Sequence, residues 1–123
     1  MDTRAPALGA LLLAMLAGCA SPSMVYDGVY IWGAEVSTFS PCGTDKDWWV
    51  LANDSIERQL REAHERLTTM PYEGIFVEVD GSYAGAATAE AGGGFATQYD
   101  GLFRIANVRA LRKRDAASCN LPH

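Results

Sequence analysis

The first eighteen residues decide how much of the chain is left to fold. Arg4 gives a thin positive start, Ala5 to Ala17 form an apolar run of about 13 residues, and small residues follow, which is the layout of a secretory signal. The run is shorter than the roughly 20 apolar residues of a spanning helix. It also lacks the polar face that a surface helix of a small domain shows. With residues 1–18 set aside, the rest must supply one small domain. The 123 residues are 49% hydrophobic and 20% charged, the balance of a single globular core. Lys and Arg number 10 against 15 Asp and Glu, a formal charge of -5, so the electropositive surface that nucleic-acid binding needs is missing.

Leu16-Ala17-Gly18-Cys19 directly follows the apolar run and resembles the lipobox that precedes the modified cysteine of bacterial lipoproteins. The resemblance implies that Cys19 receives a thioether-linked diacylglycerol, that the signal is cut before it, and that its freed amine is acylated. Residues 19–23 then form a lipidated tether. Each buried methylene contributes about 0.8 kcal/mol and two chains give stable anchoring, so the membrane is the first expected partner. Ala20 stands where an Asp commonly retains such proteins at the inner membrane, which implies the outer membrane, facing the periplasm.

With Cys19 taken by lipid, Cys42 and Cys119 remain as an even pair in an oxidising compartment and are expected to form one disulfide. Their separation corresponds to roughly 4 kcal/mol in the chain-entropy model. A redox or metal pair is the weaker reading, because there is no Cys-x-x-Cys and no neighbouring histidine.

From Met24 the chain is dense in β-branched and aromatic residues, and predicts a first strand over 24–32 that continues or folds into a second over 34–39. Gly33 between them suggests a bend or bulge. Pro41 to Thr44 read as a turn, and Trp48 to Leu51 as a short third strand covered on both faces. One helix is expected next. Asp54 with Glu57 imitates a capping box, and Ile56, Leu60, Ala63, Leu67 and Met70 form its apolar stripe. Oppositely charged i,i+4 pairs cover the other face, and Pro71 stops it. In a fourth strand Ile75, Val77 and Val79 alternate with Phe76, Glu78 and Asp80, with a turn expected at Asp80-Gly81. Residues 84–94 are Ala/Gly-rich and predict a mobile loop. The last strand runs from Leu102 to about Leu111, with a bulge near Ala106-Asn107.

Three strands, one amphipathic helix and two strands is the order of the OB-fold, a mainly β, five-stranded Greek-key barrel, here over residues 24–123. Gly28-Val29-Tyr30, Phe39-Ser40-Pro41-Cys42-Gly43 and Trp48-Trp49-Val50 resemble the carboxy-terminal OB domain of the NlpE copper-homeostasis lipoproteins. So do Ile75 to Val79 with Gly81, and Tyr99 to Ile105. In that family an amino-terminal barrel carries a Cys-x-x-Cys motif associated with metal and stress sensing, a motif this sequence does not contain. The resemblance therefore implies the OB module, with a partner-binding or envelope-stress role and without the copper role. Beyond the signal, Met24 and Met70 are the two methionines and His64 and His123 are far apart in sequence, so no clustered soft ligands for copper(I), and no other cofactor, are expected.

No catalytic constellation converges in the sequence. His64 is placed on the charged side of the helix and His123 is the last residue, a poor basis for a Ser-His-Asp site. Glu78 and Asp80 share a strand face, more as solubilising acids than as a carboxylate pair. Strands 2 and 3 form the ligand face of many OB-folds, so Phe39, Trp48 and Trp49 are the candidate binding residues. One tryptophan is expected to fill the barrel and the other, joined by Phe39, to lie outside as a stacking platform; the competing reading is that both only pack. Arg109, Arg112, Lys113 and Arg114 form a basic cluster, either a solvated strand end or a contact for anionic lipid. The expected function is a non-enzymatic binding or sensing module of the envelope with an envelope protein as partner. The alternative is an inhibitor of a periplasmic or invading hydrolase such as lysozyme, for which no motif is visible.

Overall fold

The computed structural model describes residues 22–119. Five strands are joined by one helix: β1 Met24–Gly33, β2 Val36–Pro41, β3 Trp48–Leu51, α1 Asp54–Leu67, β4 Gly74–Tyr83 and β5 Leu102–Lys113, with a 3-10 turn at Phe95–Gln98 before β5. The strands close into a barrel in the order β1-β2-β3-β5-β4. Every pairing is antiparallel except β3 with β5, which run parallel. A parallel pair needs a long crossover, and α1 with β4 supplies it. This is the OB barrel that the element order implies.

Inward residues alternate along each strand and meet in one core built on Tyr30, Phe39, Ile75, Val77, Val79 and Phe103. Phe76 faces outward as its place in the alternation requires, yet is nearly buried, because the Arg112 guanidinium lies 3.9 Å over its ring. Two glycines make room for the largest rings. A Cβ at Gly28 would stand 2.5 Å from Phe39 Cζ, and one at Gly81 2.4 Å from Phe103 Cζ. The turn expected at Asp80-Gly81 is therefore absent: β4 runs on to Tyr83, and Gly81 serves close approach rather than chain reversal. The register of β4 on β5 shifts twice, between Glu78 and Val79 and between Asp80 and Gly81. The second shift passes over Ala106 and is the bulge expected near Ala106-Asn107; the first passes over Arg109.

Gly33 is not a bulge inside a strand. It ends β1, and Ala34-Glu35 make the reversal to β2, with Glu35 at φ 63. The Tyr72 ring lies so close over Gly33 that a Cβ there would meet Tyr72 Cε1 at 2.3 Å, and the Tyr72 hydroxyl donates to the Ala34 carbonyl at 3.0 Å. The Ala/Gly-rich stretch carries a local reversal, in which Thr88 N–H donates to the Ala91 carbonyl.

Helix α1 closes the end of the barrel that holds Tyr30 and Ile75, with Leu60 and Ala63 buried against them. Its cap is Asn53, one residue before the expected Asp54: Asn53 Oδ1 accepts from the Ile56 N–H at 2.9 Å. Asp54 and Glu57 instead sit in the first turn, where acids favour the helix dipole. At the other end Thr68 returns both its N–H and its hydroxyl to the His64 carbonyl, at 3.0 and 2.6 Å, and the helix stops at Leu67. Met70, expected in the stripe, lies past this stop and is 63% exposed. Asn53→Ala is expected to lower stability by about 1 kcal/mol, read as an earlier thermal melt; an unchanged melt would mean that another group caps α1.

After β5 the chain folds back so that Cys119 reaches Cys42 and forms the expected disulfide, with Cα atoms 4.9 Å apart. The tail is shaped locally by Asp115, whose carboxylate accepts from the Ala117 and Ser118 N–H groups. Those bonds, the Ala117 one foremost, hold its carboxyl below the usual carboxylate range.

Candidate functional site

Trp48 and Trp49 project to opposite sides of β3, as neighbours on a strand must. Cross-strand pairing assigns the sides, since Trp48 stands opposite Phe39 and Trp49 opposite Thr38. Phe39 is wholly buried and stacks on Phe103 with ring centroids 4.8 Å apart. Trp48 stacks on the same Phe103 at 5.1 Å, and Tyr26 meets Phe39, Trp48 and Phe103 edge-on. Phe39 and Trp48 thus belong to the barrel interior. The platform pairing Phe39 with the outer tryptophan is not formed, because Phe39 lies on the inner side of the wall.

Trp49 is the outer tryptophan. It is half-buried, its backbone N–H donates to the Gly101 carbonyl at 2.8 Å, and its ring lies 5.4 Å from that of Tyr99 in the β4–β5 loop. That loop is clamped in place reciprocally: the Asp100 N–H donates to the Asp47 carbonyl at 2.9 Å, and the Asp47 N–H donates to an Asp100 carboxylate oxygen at 2.8 Å. Burial pushes the Asp47 carboxyl above the usual range, against the Ser40 hydroxyl that donates to it at 3.1 Å.

Beside Trp49 a groove of about 400 Å³ separates β3 from the first turns of α1. Leu51 and Leu60 give it apolar walls, and Glu57 and Arg104, both exposed, stand on its rim. At its floor the Tyr30 and Ser37 hydroxyls are 3.0 Å apart. Burial pushes the Tyr30 hydroxyl up to about 12, so it stays protonated and is a donor and acceptor rather than a base. An indole, a phenol, a guanidinium and a carboxylate around an apolar cleft can anchor a partner side chain or segment. Nothing in this set activates a nucleophile.

The family model of the NlpE C-terminal OB domain matches residues 20–103, more than half of the chain. The chain belongs to the NlpE C-terminal OB domain family. No curated protein and no solved structure gives a significant match. The match spans β1 to β4 and the start of β5, so the NlpE-type module includes Trp48, Trp49 and Cys42, while Cys119 lies beyond it.

The other residues singled out in this NlpE-family sequence fall in separate places. His64, expected on the charged side of α1, is buried, with its ring near those of Tyr30 and Trp32 and its Nε2 on the Glu73 carbonyl at 2.5 Å. It joins the helix end to Glu73, just before β4, and lines an open pocket of about 260 Å³ with Trp32 and Met70 in which its Nε2 is already taken by the Glu73 carbonyl. Asp80 is held by the Asn107 amide and by Arg109 Nε at 3.0 Å, and its carboxyl lies below the usual range, the Asn107 bond being the larger cause. Two members of the basic cluster are therefore occupied within the fold, Arg109 by Asp80 and Arg112 by Phe76. Cys19 and His123 lie outside the described residues. Tyr99, Arg104, Glu57 and the Tyr30–Ser37 pair were not legible as a site, because they come from five separate segments that only barrel closure brings together.

Proposed function

We propose that this NlpE-family module is an envelope lipoprotein, anchored through Cys19 at the outer membrane and facing the periplasm, whose barrel binds an envelope protein partner without catalysing a reaction. The observation that carries the reading is the groove lined by Trp49, whose ring is backed by that of Tyr99, with Arg104 on the groove's rim. Tryptophan, tyrosine and arginine are the side chains that dominate the energetics of protein interfaces, above all around a cleft that excludes water. The lipid anchor is supported by the Leu16-Ala17-Gly18-Cys19 run, which resembles the lipobox of bacterial lipoproteins. No helix among the described residues is long and apolar enough to cross a membrane.

The test is affinity capture from envelope extracts with the wild-type protein and with Trp49→Ala. A partner held by the wild type should be lost from the variant, corresponding to 2 kcal/mol or more, or about thirtyfold in affinity. Equal capture by both would remove the groove from the account. A hydrolase as the dominant partner would replace the sensor reading with that of an inhibitor.

A further inference from the structure

The barrel has two unlike ends. At one, α1 lies over Tyr30 and Ile75. At the other, no α-helix among the described residues covers the strands, and aromatic rings close the barrel instead: Tyr26 and Trp48 have centroids 5.9 Å apart, and Trp48 and Tyr83 5.4 Å. Met24 joins this end, since it pairs with Gly81, two residues before Tyr83 on the same face of β4. Six large apolar side chains are conspicuously exposed among the described residues. Met24, Val25, Tyr83 and Phe95 belong to the uncovered end or to the loop that leaves it, whereas Met70 and Tyr72 lie beside the end of α1.

We propose that the uncovered end is a membrane-docking surface, in which Met24, Tyr83 and Phe95 rest in the headgroup region of a zwitterionic phospholipid layer. The inference rests on the lipid-anchor reading. Five residues lead from Cys19 to Met24 and span at most about 18 Å when fully extended, so an acylated Cys19 holds this end, and not the helical one, against the bilayer. The eight residue steps from Met24 to Trp32 put the α1 end about 25 Å farther along the strand. Tyrosine and tryptophan favour the membrane interface because one side of each is apolar and the other polar. Charge selects the lipid. Asp45, Asp47, Glu90 and Asp100, against the one cation Lys46 among the same loops, occupy the loops around this end and disfavour anionic headgroups, whereas Lys113 and Arg114 lie at the far end of β5, where Lys113 pairs with Ile75. The basic cluster therefore points away from the surface to which the tether leads.

The full-length acylated protein, reconstituted in vesicles of phosphatidylethanolamine and phosphatidylcholine, can report this by photo-crosslinking. Benzoylphenylalanine replaces Tyr83 in one variant and Phe95 in a second, so that the loss of fold in either leaves the other informative; Tyr72, half exposed beside the end of α1, is the control. Lipid adducts from positions 83 and 95 should exceed those from 72 several-fold. Flotation of the wild type with the vesicles, together with equal adducts at all three positions, would overturn the docking and leave the anchor standing. Adducts between copies of the chain at 83 and 95, in place of lipid adducts, would assign the end to self-association. Failure of the wild type to float would overturn the anchor and the docking with it.

Discussion

Cys42→Ser is expected to remove about 4 kcal/mol from the stability of the domain, the value for a bond that closes 77 residues. A small domain has about 5–15 kcal/mol in total, so the midpoint of thermal unfolding should fall by roughly 15 °C or more. The bond joins the β2–β3 turn to a tail that follows the last strand and has few other holds on the barrel: the tail turns on Asp115 and buries Ser118. Without the bond that segment is free to fray. Reductant should reproduce the effect in the wild type and add nothing to the variant. Melting that is insensitive to both changes would mean that the bond holds only the tail and not the barrel.

Phe39→Ala should be nearly as damaging, at about 3–5 kcal/mol, because it empties a fully buried ring position between Gly28 and Phe103. Strands 2 and 3 carry ligand faces in many OB-folds, which made Phe39 a candidate for binding. Its inward position predicts the opposite phenotype. The variant should melt early, while whatever fraction remains folded captures the partner as the wild type does. Normal melting with lost capture would return Phe39 to the ligand face.

What the sequence reveals of this fold follows from what each signal depends on. The alternation of Ile75, Val77 and Val79 with Phe76, Glu78 and Asp80 depends only on the strand period, and it holds except that Phe76, on the outer side, is buried under Arg112. The stripe of α1 holds as far as Leu67 and fails at Met70, because Thr68 closes the helix with its own side chain before Pro71 is reached. Glycines are read less well. Gly33 suggests a bend or bulge, and the chain does fold back directly after it, whereas the turn suggested at Gly81 is absent; both are also contact points where the rings of Tyr72 and Phe103 press on the backbone, a demand set by tertiary packing. His64 misleads for a similar reason: the charged residues around it on α1 suggest solvent, but its position falls at the buried edge, between Tyr30 and Trp32. The tryptophans are half legible. Adjacent positions guarantee that one is inside and one outside, while the outer one's companion, Tyr99, comes from a loop fixed only by the Asp47–Asp100 clamp.

Intact mass spectrometry of the protein extracted from the cell envelope without reductant, after exposure to a thiol-alkylating reagent, tests the central claim of a lipid-anchored, disulfide-stapled OB module. The expected species is a polypeptide that begins at Cys19, carries a diacylglyceryl group and a further acyl chain, and takes up no alkylating reagent. A chain that still begins at Met1, or one that is alkylated at Cys42 and Cys119, would contradict it.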